Sequence, residues 1–175
     1  MIQTFYFMLP AYFANMAPVL AKNYFKPLAV PLDFNKKFKG KRILGSHKTL
    51  RGLLAGMVLG IITAFIQYLL LRIPCFANIS LLDYAEWPSI GLLMGAGALT
   101  GDMVKSFFKR RFSIKPGGRW IPFDQLDYVV GALVFVSIVY VPSIEVIIAA
   151  LILSFLLHIM INHAAYYLGI SKVKW

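Results

Sequence analysis

Five long apolar stretches, separated by polar runs, organise the 175-residue chain. A helix needs about 20 mostly apolar residues to cross the hydrocarbon core of a bilayer. On that scale the pattern predicts spanning helices over residues 2–21, 52–71, 88–104, 126–141 and 145–168. The first is the least continuous, with Pro10, Asn15 and Pro18 inside it, whereas the second, GLLAGMVLGIITAFIQYLLL, carries no charge. The third is glycine-rich. Its Gly91/Gly95 and Gly97/Gly101 spacings are of the kind that lets helix backbones approach closely in lipid. Such spacing serves packing alone, or it also seats the helix at the bundle centre so that Asp102 is aimed. No internal repeat divides the chain. The predicted fold class is therefore all-α: one polytopic membrane domain over residues 1–175, with about five transmembrane helices and two basic loops, 22–51 and 105–123.

Composition agrees, since a chain that is 59% hydrophobic is too apolar for an ordinary soluble domain. Charge then orients it. Residues 22–51 hold nine Lys or Arg against one acid, Asp33, and residues 105–123 hold six more. Residues 73–87 hold Asp83 and Glu86 and no base, and the tail ends in Lys172 and Lys174. The positive-inside rule places both basic loops and the C-terminus in the cytoplasm, and the N-terminus outside the cell membrane. The net charge of +11 is explained by anionic headgroups and gives no argument for nucleic acid. A single cysteine, Cys75, excludes an intrachain disulfide and argues against a cysteine-based metal site. The start, MIQTFYFMLP, has neither a basic n-region nor a clear cleavage site, and reads as a retained span rather than a signal peptide.

The chemistry-bearing run lies between the third and fourth segments. Asp102 ends a continuous apolar run, where a carboxylate needs a compensating cation. Asp124 and Asp127 are three residues apart at the start of the next segment, so they share one helix face. Asp124 alone is also what a helix N-terminus favours. Both segment ends face the same side, so the three acids can converge. Oxygen-only ligands beside many cations suit Mg²⁺, with room for a second cation. Lys105 and Lys109 lie one turn apart, and KPGG supplies Lys115, Pro116 and a glycine pair whose N–H groups can face phosphate oxygens. The other loop supplies His47, Lys48, Thr49 and Arg51. Each cation taken singly is also explained by topology and lipid contact. No Ser-His-Asp arrangement is visible, and the partners of His158 and His163 cannot be read from sequence. Acids and cations without a protein nucleophile fit phosphoryl chemistry, which rests on positioning and charge neutralisation. An attacking phosphate is already ionised near neutral pH and needs no general base. In a membrane that attacker is a lipid phosphate, acting on the α-phosphate of a nucleotide.

Three motifs, ILGSHKTLRGLLAG, GDMVKSFFKRR and KPGGRWIPFDQLD, closely resemble those of the CDP-archaeol synthases. These are archaeal CTP-dependent cytidylyltransferases of ether-lipid synthesis, distantly similar to bacterial CDP-diacylglycerol synthases. The resemblance covers about residues 30–130 and extends to length and hydropathy. It implies a Mg²⁺-dependent reaction of CTP with 2,3-bis-O-geranylgeranylglycerol 1-phosphate, giving a CDP-activated lipid and pyrophosphate. Carried onto this chain, Asp102, Asp124 and Asp127 take the acidic positions. His47, Lys48, Thr49, Arg51, Lys105, Ser106, Lys109, Lys115 and Gly117 become nucleotide- or phosphate-facing candidates, with Lys105 beside the reacting groups. Ser113 stands where glycine is common and Ile121 where proline is common, which bears on loop shape rather than on the reaction.

Other readings fit the sequence less well. A CDP-alcohol phosphotransferase would carry D-G-x2-A-R-x8-G-x3-D-x3-D, and no such spacing occurs. A transporter would place polar residues along a mid-membrane path, yet the span interiors hold little beyond Gln67 and His158.

Overall fold

The computed structural model describes residues 1–115 and 118–169. Five long helices carry the chain: α1 (Ile2–Leu20), α2 (Leu50–Leu70), α4 (Trp87–Arg111), α5 (Phe123–Val136) and α6 (Ile144–Tyr167), with a short α3 (Pro74–Ile79) between α2 and α4. The only strands among the described residues are β1 (Lys37–Phe38) and β2 (Lys41–Arg42), a two-residue antiparallel hairpin. The expected all-α class holds. By length and composition, Leu50–Leu70 and Ile144–Ala164 are each sufficient to cross a membrane.

The third predicted segment ends at residue 104, but α4 runs on to Arg111. At 1.5 Å per residue its 25 residues span about 38 Å. Lys105, Ser106 and Lys109 therefore stand on a helix rather than in a loop. Nothing in SFFKRR breaks a helix, and its basic last turn favours the negative end of the helix dipole. The helix stops at Ser113, which adopts a left-handed φ of 59°. Ile114 N–H closes on Lys109 O at 2.9 Å, the bond of a Schellman end. Glycine adopts such a backbone most readily, and here Ser113 takes it. At the other limit, α5 starts at Phe123 and ends at Val136, shorter than the predicted 126–141. Asp124 and Asp127 both lie in its first two turns.

α4 is the central helix, packed on α1, α2 and α5. Its two glycine spacings serve different neighbours. Gly91 and Gly95 meet α2 at Gly60 and Gly56, and Gly97 and Gly101 meet α5 at Gly131. A Cβ on Gly131 would fall 2.1 Å from Gly97 O, and one on Gly101 would fall 2.0 Å from Asp127 O. No side chain fits those gaps. One mid-span polar residue is also accounted for. Pro10 lacks the N–H that would bond Tyr6 O one turn back, and the buried Gln67 donates from Nε2 to that carbonyl at 2.6 Å.

Gly131→Ala or Gly131→Val is expected to push α4 and α5 apart and lower stability by at least about 1–3 kcal/mol. Gly45→Ala, whose Cβ would meet only Ser106 Oγ at 3.5 Å, should be near neutral. Apparent Tm in detergent checks both, and an unchanged Tm for the Gly131 variants would contradict the close α4–α5 contact.

Candidate active site

On α4, Asp102, Lys105 and Lys109 follow one another at three- and four-residue steps, so they line one face. That face meets the start of α5, and the Gly101–Asp127 backbone contact sets how closely. The three acids converge on a single ammonium. Lys105 Nζ lies 3.1 Å from Asp102 Oδ1, 2.8 Å from Asp127 Oδ2 and 3.4 Å from Asp124 Oδ1. Lys109 Nζ holds both oxygens of Asp124, at 2.6 and 2.9 Å, and Trp120 N–H donates to Asp124 Oδ2 at 2.7 Å. Asp127 is the least served. Its side chain is 6% exposed, and neither oxygen receives a well-directed hydrogen bond, so its compensation is the Lys105 charge.

The loop before α2 adds a fourth group: Lys48 pairs with Asp102 Oδ2. Lys48 is brought there by a loop with its own framework. The fully buried Asp33 carboxylate accepts from Arg42 Nη2 at 2.6 Å and from the N–H groups of Leu44 and Asn35 at 3.1 Å each. Burial pushes the Asp33 carboxyl up, but the Arg42 bond and the two N–H donors outweigh it, so its pKa lies below the ordinary value. Arg111 donates to the carbonyls of Phe38, Lys41 and Arg42 and lies over the rings of Phe38 and Phe107, which clips the hairpin to α4. Neither Asp33 nor Arg111 was singled out from the sequence. The one signal was Asp33's standing as the lone acid in a basic loop.

The remaining candidates divide. His47 lines a small cavity with Lys48 and Asp102, next to the cluster. Thr49 Oγ1 accepts from Gly52 N–H at 3.2 Å, so it caps α2. Ser106, one turn after Asp102 on α4, accepts through Oγ from Gly45 N–H at 3.3 Å. Arg51 turns away from the acids, donating to Tyr24 O at 2.9 Å beside a groove lined by Leu20, Phe25 and Leu54. Lys115 lines a separate cationic cavity of about 350 Å³ with Lys41, Arg42 and Arg110. Gly117, like Lys172 and Lys174, lies outside the described residues. The acids themselves open onto a cavity of about 300 Å³ whose walls include Asn15, Arg119, His158 and Asn162.

These residues fit a divalent cation. The donor set is all oxygen, and the shielded carboxylate of Asp127 has an oxygen with no partner, a state that costs free energy in a low-dielectric site. Among the described residues no three carboxylate or imidazole groups close on one point, because the Lys105 ammonium stands between the three acids. Lys105 is thus an internal counterion. Lys105→Met should lower stability by about 3–5 kcal/mol when no divalent cation is present, as for a buried pair stripped of one partner. Added divalent cation should return most of it. A thermal melt in EDTA and again in excess divalent salt checks this, and equal melts in the two would contradict the fit.

Residues 1–175 match a family model described as CarS-like, CDP-archaeol synthase. Relatives named CDP-archaeol synthase include one from Archaeoglobus fulgidus, 37% identical, covering 99% of this chain and 97% of the relative. Another, from Methanospirillum hungatei, is 38% identical over 96% of this chain and 100% of the relative. A solved structure, described as an intramembrane enzyme for archaeal membrane lipids biosynthesis, superposes with a TM-score of 0.70 at 34% identity over 90% of each chain. Model, sequence relatives and structure agree along nearly the whole length, and the chain belongs to the CDP-archaeol synthase family.

Proposed function

We propose that the chain transfers the cytidylyl group of CTP to 2,3-bis-O-geranylgeranylglycerol 1-phosphate, at the Asp102–Asp124–Asp127 cluster on the cytoplasmic face of the membrane. The observation that carries the reading is the convergence of three acids and three lysines, Lys48, Lys105 and Lys109, at one end of a helical bundle from this family.

The chemistry follows from those groups. A lipid phosphate oxygen attacks the α-phosphorus of CTP. A new P–O bond forms, the bond to the bridging α–β oxygen breaks, and pyrophosphate departs with the electron pair. The acceptor is a dianion above a second pKa of roughly 6, so no protein base is required. Lys48, Lys105 and Lys109 stand within reach of phosphate oxygens and neutralise charge in a partly water-excluded site. Asp102, Asp124 and Asp127 would hold Mg²⁺, which supplies Lewis-acid stabilisation to the phosphate oxygens. Basic residues dominate the segments on this side of the bundle, which supports a cytoplasmic site and an outside N-terminus.

Purified protein, α-labelled CTP, Mg²⁺ and the isoprenoid glycerol phosphate should place label in the organic phase. Asp102→Asn and Asp127→Asn should each lower kcat by about 1,000-fold, the equivalent of several kcal/mol of lost charge stabilisation. EDTA should abolish transfer. Full activity in either variant, from protein that remains folded, would refute the assignment of these acids.

A further inference from the structure

α1 and α2 meet where Pro18 packs on Gly52: a Cβ on Gly52 would fall 3.1 Å from Pro18 Cβ. After α1 the chain passes through two 3-10 turns, Ala21–Asn23 and Lys26–Leu28. Between these turns and the two helices lies a groove of about 510 Å³. Its walls are the exposed side chains of Leu20, Phe25, Leu54 and Val58, and the small Ala17 and Ala55 leave it unfilled. Among the described residues, Arg51 is the one charged group on its lining. Arg51 Nη1 donates to Tyr24 O at 2.9 Å, but its Nε–H is buried with no acceptor. Lys22 and Lys26, both exposed, stand in the two turns whose residues line the groove. Phe25 holds a left-handed backbone, φ 47°, which is uncommon for a bulky residue, and its side chain is left 71% exposed. Such a display suits the headgroup level of a bilayer, where aromatic side chains concentrate. None of the residues lining this groove lines the cavity of the acids.

We infer that the α1–α2 groove is a binding site for an anionic phospholipid of the surrounding membrane, with one hydrocarbon chain laid between the helices and the headgroup phosphate on Arg51, Lys22 and Lys26. Shape and charge coincide here. An apolar groove takes a chain, and the cations at its end take a phosphate. A guanidinium matches phosphate oxygens better than an ammonium does, and a phosphate supplies the acceptor that the buried Nε–H lacks. Lysines beside a bilayer draw anionic headgroups. A nucleotide does not suit these walls, which are apolar and carry no carboxylate for a metal. A phosphate at Arg51 faces away from the acids, so the occupant is not a reacting lipid. Its effect on the reaction is indirect. Lys48 O accepts from Leu32 N–H at 2.8 Å, and Leu50 N–H donates to Val30 O at 2.9 Å, so the segment that presents Lys48 is joined to the chain just after Leu28. A lipid that bridges Arg51 to Lys22 and Lys26 fastens the start of that chain to α2 and steadies Lys48. The inference stands apart from the cytidylyl reading, and its test needs no CTP.

Thermal melts of the full chain in nanodiscs read the site. Adding phosphatidylglycerol to phosphatidylcholine should raise the apparent Tm by at least about 3 °C, as mass action requires of a ligand bound by the folded state alone. Arg51→Gln should lose most of that gain. Ala55→Phe, which fills the groove, should lose it too while melting near the parent in phosphatidylcholine. Lys36→Gln removes an equal charge at an exposed position elsewhere in the loop and should keep the gain. A photo-crosslinking residue at Leu54 should capture phosphatidylglycerol about 10-fold over phosphatidylcholine. The same residue at Val134, exposed on α5, should show no preference. An equal Tm gain in Arg51→Gln and the parent, or equal capture of the two lipids at Leu54, would overturn the inference. Preferential capture of the isoprenoid glycerol phosphate over phosphatidylglycerol, at equal mole fractions, would also overturn it and make the groove part of the acceptor's route. Where Arg51→Gln fails to fold, Ala55→Phe and the crosslink decide.

Discussion

One ammonium group organises this molecule's functional end. Three carboxylates lie within 3.4 Å of Lys105 Nζ, each largely removed from solvent. Held that near one another without a counter-charge, they would repel strongly, because screening is weak where water is scarce. Lys105 therefore makes the bare cluster tenable, and Lys48 and Lys109 complete it from either side. The site is neutralised by groups that also suit phosphate. A cation held by the acids would release the lysines to other oxygens, so binding there would exchange partners rather than create charges. That exchange limits the desolvation cost of assembling so many ions in one place.

The cluster depends on backbone contact. Side chains as short as aspartate converge from two helices only when the helices nearly touch, and Gly97, Gly101 and Gly131 provide that approach. The Gly101–Asp127 contact is a packing feature and a site feature together: it lies one residue from Asp102 and directly behind the Asp127 carboxylate. On the opposite side, Gly56, Gly60, Gly91 and Gly95 bring α2 equally near, so α4 is clasped on both sides. Lipid tails exert no hydrophobic pressure between helices, and such close van der Waals contact has to hold the bundle.

Much of this was legible in the sequence, for physical reasons. Apolar runs longer than 14 residues leave few alternatives to a helix, so all five long helices fall on predicted segments. The i, i+3 spacing of Asp124 and Asp127, with Asp102 at the facing end, announced convergence. What escaped were features decided by contacts distant in sequence. The basic run after Asp102 read as a loop because charge there satisfies topology, yet its residues are good helix formers and α4 continues through them. Lys105 read as a phosphate-facing candidate, and spacing on one helix could not reveal that three acids from two helices also share it. Thr49 and Ser106 are phosphate-facing candidates through the family resemblance, and in the structure their hydroxyls accept from the N–H groups of Gly52 and Gly45. Asp33 reaches Arg42 and Leu44, 9 and 11 positions away, and Arg111 reaches carbonyls 69 to 73 positions away, which no local pattern encodes.

The two sides of the site follow different physics. On the side of the basic loops, Asp33, Arg42 and Arg111 stitch an otherwise irregular chain to α4, so flexible cations are presented from a fixed frame. That side is built for a highly charged, water-borne ligand. On the α6 side the wall is one helix, tied to α1 by the Ser154–Tyr12 hydrogen bond, with His158 and Asn162 lining the cavity. A helix satisfies its own backbone and can stand away from its neighbours in lipid without leaving unpaired groups. A loop at the same depth cannot. α6, long and apolar enough to cross a membrane, meets that constraint on its side of the cavity.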